Sequence, residues 1–163
     1  MCVLCLKEDA KQEMLHNSYH ERQREADLLY ENILVGDEFF FEKIITQYDV
    51  EAFASLTGDY NSLHMSHTYA QQTVFGQRVV HGLLGASLFS QIYGMKCPGR
   101  RALLITQEVN FIQPLLIDSK IKVIGTIARK IDALKILLFD LKILDEKATL
   151  MIEGHAKVKV LDG

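Results

Sequence analysis

No apolar run in this 163-residue chain approaches the ~20 residues of a helical membrane span, so no transmembrane helix is expected. The opening Met1-Cys2-Val3-Leu4-Cys5-Leu6 is too short for the apolar part of a signal peptide and runs straight into Lys7-Glu8-Asp9. An excess of one charge is also missing. Eighteen Lys and Arg face 21 Asp and Glu, a net charge of -3, which removes any global argument for nucleic acid or an anionic membrane surface as partner. Cysteine is scarce: three residues, an odd number without framework spacing, exclude a disulfide scaffold. They point to reduced thiols and a cytoplasmic protein. Cys2-x-x-Cys5 has no second pair to complete a zinc site. Neither an internal repeat nor a low-complexity tract is present. The length suits one domain burying roughly 70% of its unfolded surface.

Two parts are expected. Residues 1–35 are polar and charged, with no Gly or Pro until Gly36, and read as a helical or partly disordered extension. Residues 36–163 read as the folded domain. Phe39–Ile45 has the aromatic and β-branched content of a strand. Thr46, with Asp49 three residues on, marks a capped helix start, and Gly58 marks its end. The segment His81–Tyr93 is apolar on nearly every side, which predicts a buried helix closed by Gly94. Alternating patterns over 103–111, 121–127 and 148–160 predict strands, with Gln107 the exception in the first. Leu134–Leu144 is apolar on both faces in places, as suits a central or an interface strand. Turns near Asp118, Asp132 and Asp145 leave short connections, hence antiparallel pairing. One strand, then helices, then about four strands gives an α+β domain whose antiparallel sheet is covered by the 81–93 helix.

The residues able to do chemistry cluster in Gly58-Asp59-Tyr60-Asn61-Ser62-Leu63-His64, with His81-Gly82 seventeen residues beyond. An Asp and a His five residues apart are the parts needed to hold a water and move its proton. A backbone N–H at a helix start is the part needed to stabilise a developing oxyanion. Asp59 and Asn61 also have an ordinary use as turn and cap residues. His81 reads as a structural residue hydrogen-bonding at the helix entrance. His67, three residues from His64, lacks a third ligand, so no metal is expected. His16, His20 and His155 read as surface residues.

The stretch Phe53–His64, with Tyr69-Ala70 and Val79-Val80-His81-Gly82-Leu83-Leu84, resembles the MaoC-like, (R)-specific enoyl-CoA hydratase family over about residues 36–160. The resemblance implies a hot-dog fold: a curved antiparallel sheet wrapped around a long central helix. It implies hydration of trans-2-enoyl thioesters to (R)-3-hydroxyacyl thioesters, or the reverse dehydration, without a cofactor. On that reading Asp59 and His64 activate water, Asn61 braces the loop or the pair, and the Gly82 N–H takes the thioester oxygen. Ser62 and Ser87, with Leu84 and Leu88, would line or shape the acyl pocket. Arg78 and Arg100, with Lys96 and Arg101, are candidates for phosphate contacts with an acyl-CoA or acyl carrier protein substrate. A homodimer is implied. Ser62 and Arg78 stand where the family often has Pro. Which of Asp59 and His64 is the acid stays open. The alternatives are a hot-dog thioesterase and a non-catalytic acyl-thioester or carrier-protein binding module.

Overall fold

The computed structural model describes residues 25–162. After a 3-10 turn at Tyr30–Asn32, β1 (Glu38–Ile44) leads into α1 (Gln47–Thr57). The start of α1 is a complete capping box. Thr46 Oγ accepts from the Asp49 N–H, and Asp49 accepts from the Thr46 N–H at 2.8 Å. Its end is Gly58, at φ 78°, where a side chain would be strained. Two short helices follow, α2 (Ser62–Met65) and α3 (His67–Gln71).

The central helix begins at Gly82 and runs in three pieces: α4 (Gly82–Ser87), α5 (Phe89–Gln91) and a π turn over Ile92–Lys96. Gly94 therefore lies inside the helical run instead of closing it; the backbone turns extended at Cys97. The expected buried helix is buried on one side. Phe89, Ile92 and Tyr93 are buried, but Leu83 is 66% exposed and Ser87 and Gln91 face outward.

Four strands complete the chain: β2 (Ala102–Phe111), β3 (Lys120–Ile131), β4 (Ile136–Asp145) and β5 (Leu150–Val160). They form one antiparallel sheet with β1, in the order β1-β3-β4-β5-β2. The strand that is apolar on both faces, β4, sits at the centre of this sheet; the edges are β1 and β2. The alternation expected along β2 is interrupted, because the pairing with β5 slips between Leu104 and Thr106. The extra residue changes which side chains face inward. Leu103 and Ile105 are turned outward, while Gln107, the polar exception, keeps the inward face with Val109 and points to the helix. Its amide donates to the Ala86 carbonyl and its carbonyl accepts from the Tyr93 hydroxyl.

The core lies between the helix and the sheet, where Phe89 and Ile92 meet Val123, Leu141, Ile143 and Ile152. Each large apolar side chain fully buried there contributes about 1.5–3 kcal/mol. Gly125 lets the helix seat closely, since a Cβ there would stand 2.5 Å from Ile92 Cγ2. Cys97 is buried and free, and burial pushes its thiol up to about 12.

The boundary expected at Gly36 falls inside this packed unit. Tyr30 and Ile33 are core residues. Ala26 and Leu28 hydrogen-bond the backbone of Met95 and Pro98 at 3.0 Å, and Lys130 Nζ donates to the carbonyls of Tyr30 and Ile33. Few aliphatics were needed because the segment is held by backbone bonds to distant residues. Residues 1–24, with Cys2, Cys5, His16 and His20, lie outside the described residues.

Candidate active site

The loop after Gly58 is shaped by its own polar side chains. Asp59 Oδ1 accepts the Asn61 N–H at 3.2 Å, and Asn61 Oδ1 accepts the Leu63 N–H at 2.9 Å, capping α2. Both residues therefore fill their ordinary turn and cap roles. Asp59 remains half exposed, and its other carboxylate oxygen lies 3.9 Å from His81 Nε2.

His64, on α2, is held by the segment Arg78-Val79. The Val79 N–H donates to the Leu63 carbonyl at 3.3 Å, and Arg78 Nε donates to the His64 carbonyl. His64 Nδ1 lies 2.8 Å from the Val79 carbonyl. A carbonyl only accepts, so Nδ1 carries the hydrogen and Nε2 presents a lone pair. The segment is itself fixed by the bond from the Val80 N–H to the Leu115 carbonyl, at 2.8 Å. His64 thus has both position and tautomer set by residues fourteen and fifteen positions downstream.

His81, directly before α4, is 2% exposed. Its ring lies against His64, with centroids 3.9 Å apart, and against Phe53 at 5.0 Å. Asp59, His64 and His81 each bring a donor or acceptor atom within 4.8 Å of the others. The same carbonyl argument gives His81 Nε2 a hydrogen, because it faces the Asp59 main-chain oxygen at 2.9 Å. In this arrangement His64 Nδ1 and His81 Nε2 are each engaged by a main-chain carbonyl. His67 is exposed and outside the trio, and His155 pairs with Asp140 on the surface.

A cavity of about 280 Å³ opens beside these groups. His64, Gln113 and the Gly82 backbone bring polar groups to its lining; Phe75, Phe111, Leu115 and Ile152 supply apolar walls. At Gly82 a Cβ would come within 3.1 Å of the Phe111 ring, so a side chain there would press on the wall. Apolar walls with a few convergent polar groups are the usual form of a small-molecule site.

Among the residues expected from sequence, His64 and Gly82 line this cavity, and the Asp59 carboxylate lies within 4.8 Å of a His64 ring nitrogen without lining it. Asn61 and Ser62 belong to the cap and first turn beside them. Leu84 and Leu88 pack against the core, and the Ser87 hydroxyl donates to the Leu84 carbonyl on its own helix. Arg78 clamps the His64 backbone, while Arg100 lies exposed 3.8 Å from Asp27. The pocket walls at 75, 111, 115 and 152 were not singled out from sequence. Their apolar types alone carry no signal of a cavity. The break at Pro114, which places Leu115 against Val80, was the one available pointer.

The MaoC like domain family matches residues 35–140. The chain belongs to this family. Among MaoC-like relatives, the (R)-specific enoyl-CoA hydratase of Rhodospirillum rubrum is 31% identical over 131 residues, covering 80% of this chain and 90% of that protein. The 3-hydroxybutyryl-CoA dehydratase of Methylorubrum extorquens is 40% identical over 96 residues; the match spans 59% of this chain and 61% of that protein. The solved structure of the A. caviae (R)-hydratase involved in PHA biosynthesis superposes with a TM-score of 0.78 at 28% identity, covering 80% of this chain and 98% of that one. The five-stranded sheet and central helix of this MaoC-like chain are therefore a hot-dog fold.

Proposed function

We propose that this MaoC-like protein hydrates trans-2-enoyl-CoA thioesters to (R)-3-hydroxyacyl-CoA and runs the reverse dehydration. The observation that carries the reading is a His64 ring nitrogen within 4.8 Å of the Asp59 carboxylate, on an apolar cavity lined by His64 and Gly82.

The chemistry follows from these positions. Water held between Asp59 and His64 adds its oxygen to C3 of the enoyl group as one of the pair takes its proton. The C2–C3 double bond opens toward the carbonyl, and charge develops on the thioester oxygen. The Gly82 N–H, which has no partner within the first turn of a helix, is the donor for that oxygen. Return of a proton to C2 completes the addition. His64 begins as the acceptor, because its Nε2 carries the lone pair. The same pair then supplies the proton to C2. Phe111, Leu115 and Ile152 receive the acyl chain.

The active unit is a homodimer in this reading. Edge strand β2 and the flank of α4 leave Leu83, Leu103, Leu104, Ile105 and Phe111 between 43% and 66% exposed. An apolar, unpaired edge strand is a template for pairing with another chain, and a second copy covers it. No described helix is long and apolar enough to cross a membrane. A cytoplasmic location fits the cysteine usage.

The test is turnover of crotonyl-CoA, followed by loss of the conjugated thioester absorbance and by chiral analysis of the product. The expected product is (R)-3-hydroxybutyryl-CoA. Absence of hydration with both CoA and carrier-protein thioesters, or release of free thiol in its place, would sink the reading.

A further inference from the structure

We propose that His81 is a positioning residue that locks the water-activating loop to the helix start carrying the oxyanion donor. The proposal rests on the hydratase reading above. Three observations carry it. His81 is the residue immediately before Gly82, and its own carbonyl already accepts the Gly85 N–H at 3.1 Å, so its backbone belongs to α4. Its side chain does not cap that helix but turns away to donate Nε2–H to the Asp59 carbonyl at 2.9 Å. Its ring fills the space between Phe53 of α1 and His64 of α2.

One residue thus joins all three parts of the site, two through its side chain and one through its backbone. The donor bond fixes the Asp59 backbone, the ring face fixes the His64 plane, and the adjacent peptide fixes Gly82. The remaining nitrogen, Nδ1, is buried with no hydrogen-bond partner among the described residues. A buried polar atom left unpaired carries a cost. Retaining an imidazole here is explained by the two things it does at once: a flat face and an edge N–H. A phenyl ring keeps the face and loses the donor; a glutamine keeps a donor and loses the face. The bond spans 22 residues of sequence, so no local pattern announces it.

The proposal is tested with the full chain and crotonyl-CoA. Butyryl-CoA, which has no double bond to hydrate, is the binding probe. His81→Phe is expected to lower kcat at least tenfold while KM and butyryl-CoA affinity stay within about twofold, since a misplacement of ~1 Å can cost ~10²-fold in rate. His81→Gln is expected to recover part of that loss by restoring the donor. A merely structural role would lower activity only in proportion to the unfolded fraction and would give no such rescue. Should His81→Phe fail to fold, histidine ¹⁵N spectra of the wild type decide. His81 is expected as the Nε2–H tautomer and His64 as the Nδ1–H tautomer. The opposite tautomer at His81, wild-type kcat in His81→Phe, or equal loss in both variants overturns the proposal with the hydratase reading intact. Wild-type protein without turnover overturns both.

Discussion

Gly85→Ala puts a methyl group behind the wall of the cavity proposed to take the acyl chain. The new Cβ would stand 2.8 Å from Ile152 Cδ1 and 2.9 Å from Leu115 Cδ1. Carbon atoms at ordinary contact are ~3.5–4.0 Å apart, so both side chains must retreat by at least about 0.6 Å. Both line the cavity, and Ile152 is 1% exposed in the core, so the retreat occurs at the cavity wall. Two opposing terms set the stability change. Replacing Gly by Ala inside a helix gains ~0.8–1 kcal/mol, while overpacking a tight core costs ~1–3 kcal/mol. The expected net is a loss of about 0–2 kcal/mol, seen as a melting temperature lower by up to roughly 8 °C for a domain of this size. The functional effect is selective. Losing room for one methylene in an apolar pocket is worth ~10–200-fold in kcat/KM. The ratio of eight-carbon to four-carbon enoyl-CoA activity is therefore expected to fall at least about tenfold. Calorimetry and kinetics on a chain-length series read both effects. A variant stabilised by the full helix-propensity gain, with an unchanged chain-length profile, would refute the assignment of this wall to the acyl pocket.

Two further outcomes follow from the same contacts. Thr46→Ala is expected to destabilise the protein by about 1 kcal/mol at neutral pH through loss of the cap. Burial pushes the Asp49 carboxyl up, but hydrogen bonds from the Thr46 N–H and hydroxyl and the nearby Lys43 outweigh it and hold it below the usual carboxylate range. A carboxyl lowered on folding stabilises above its unfolded value and loses that contribution as pH falls through its folded value. The gap between wild type and Thr46→Ala, read by urea melts, should therefore be widest near neutrality and narrow as pH falls below about 3.9, keeping the part due to the Asp49 N–H bond to the Thr46 hydroxyl, which does not titrate. Leu103→Glu, on the apolar edge strand, is expected to convert a dimer of the 18.5 kDa chain to monomer in sedimentation and to reduce turnover; a wild type that already sediments as monomer would refute the edge-pairing account.

Much of the fold was legible because its signals are local. The Thr46–Asp49 box, the Gly58 stop and the period of two in β3 and β5 each depend on residues within one element. The failures are long-range. The slip at Ile105 arises from pairing with β5, and the core role of Tyr30 depends on Asp132 and Lys130, about one hundred residues away. The site divides the same way. Asp59, His64 and Gly82 stood out by spacing, but the clamp of Arg78 on His64, the turn of Ser87 back onto its own helix and the walls at Phe111 and Ile152 exist only once the chain is folded.

The central claim is that Asp59 and His64 together activate water at an enoyl thioester. Its most direct test is crotonyl-CoA hydration by wild type, Asp59→Asn and His64→Ala, each shown to be folded. Proton transfer by a positioned group contributes ~10²–10⁴-fold, so kcat/KM should fall by that factor in each variant. The double variant should fall little further, because the pair acts on one water. Wild-type rates in either single variant would contradict the account.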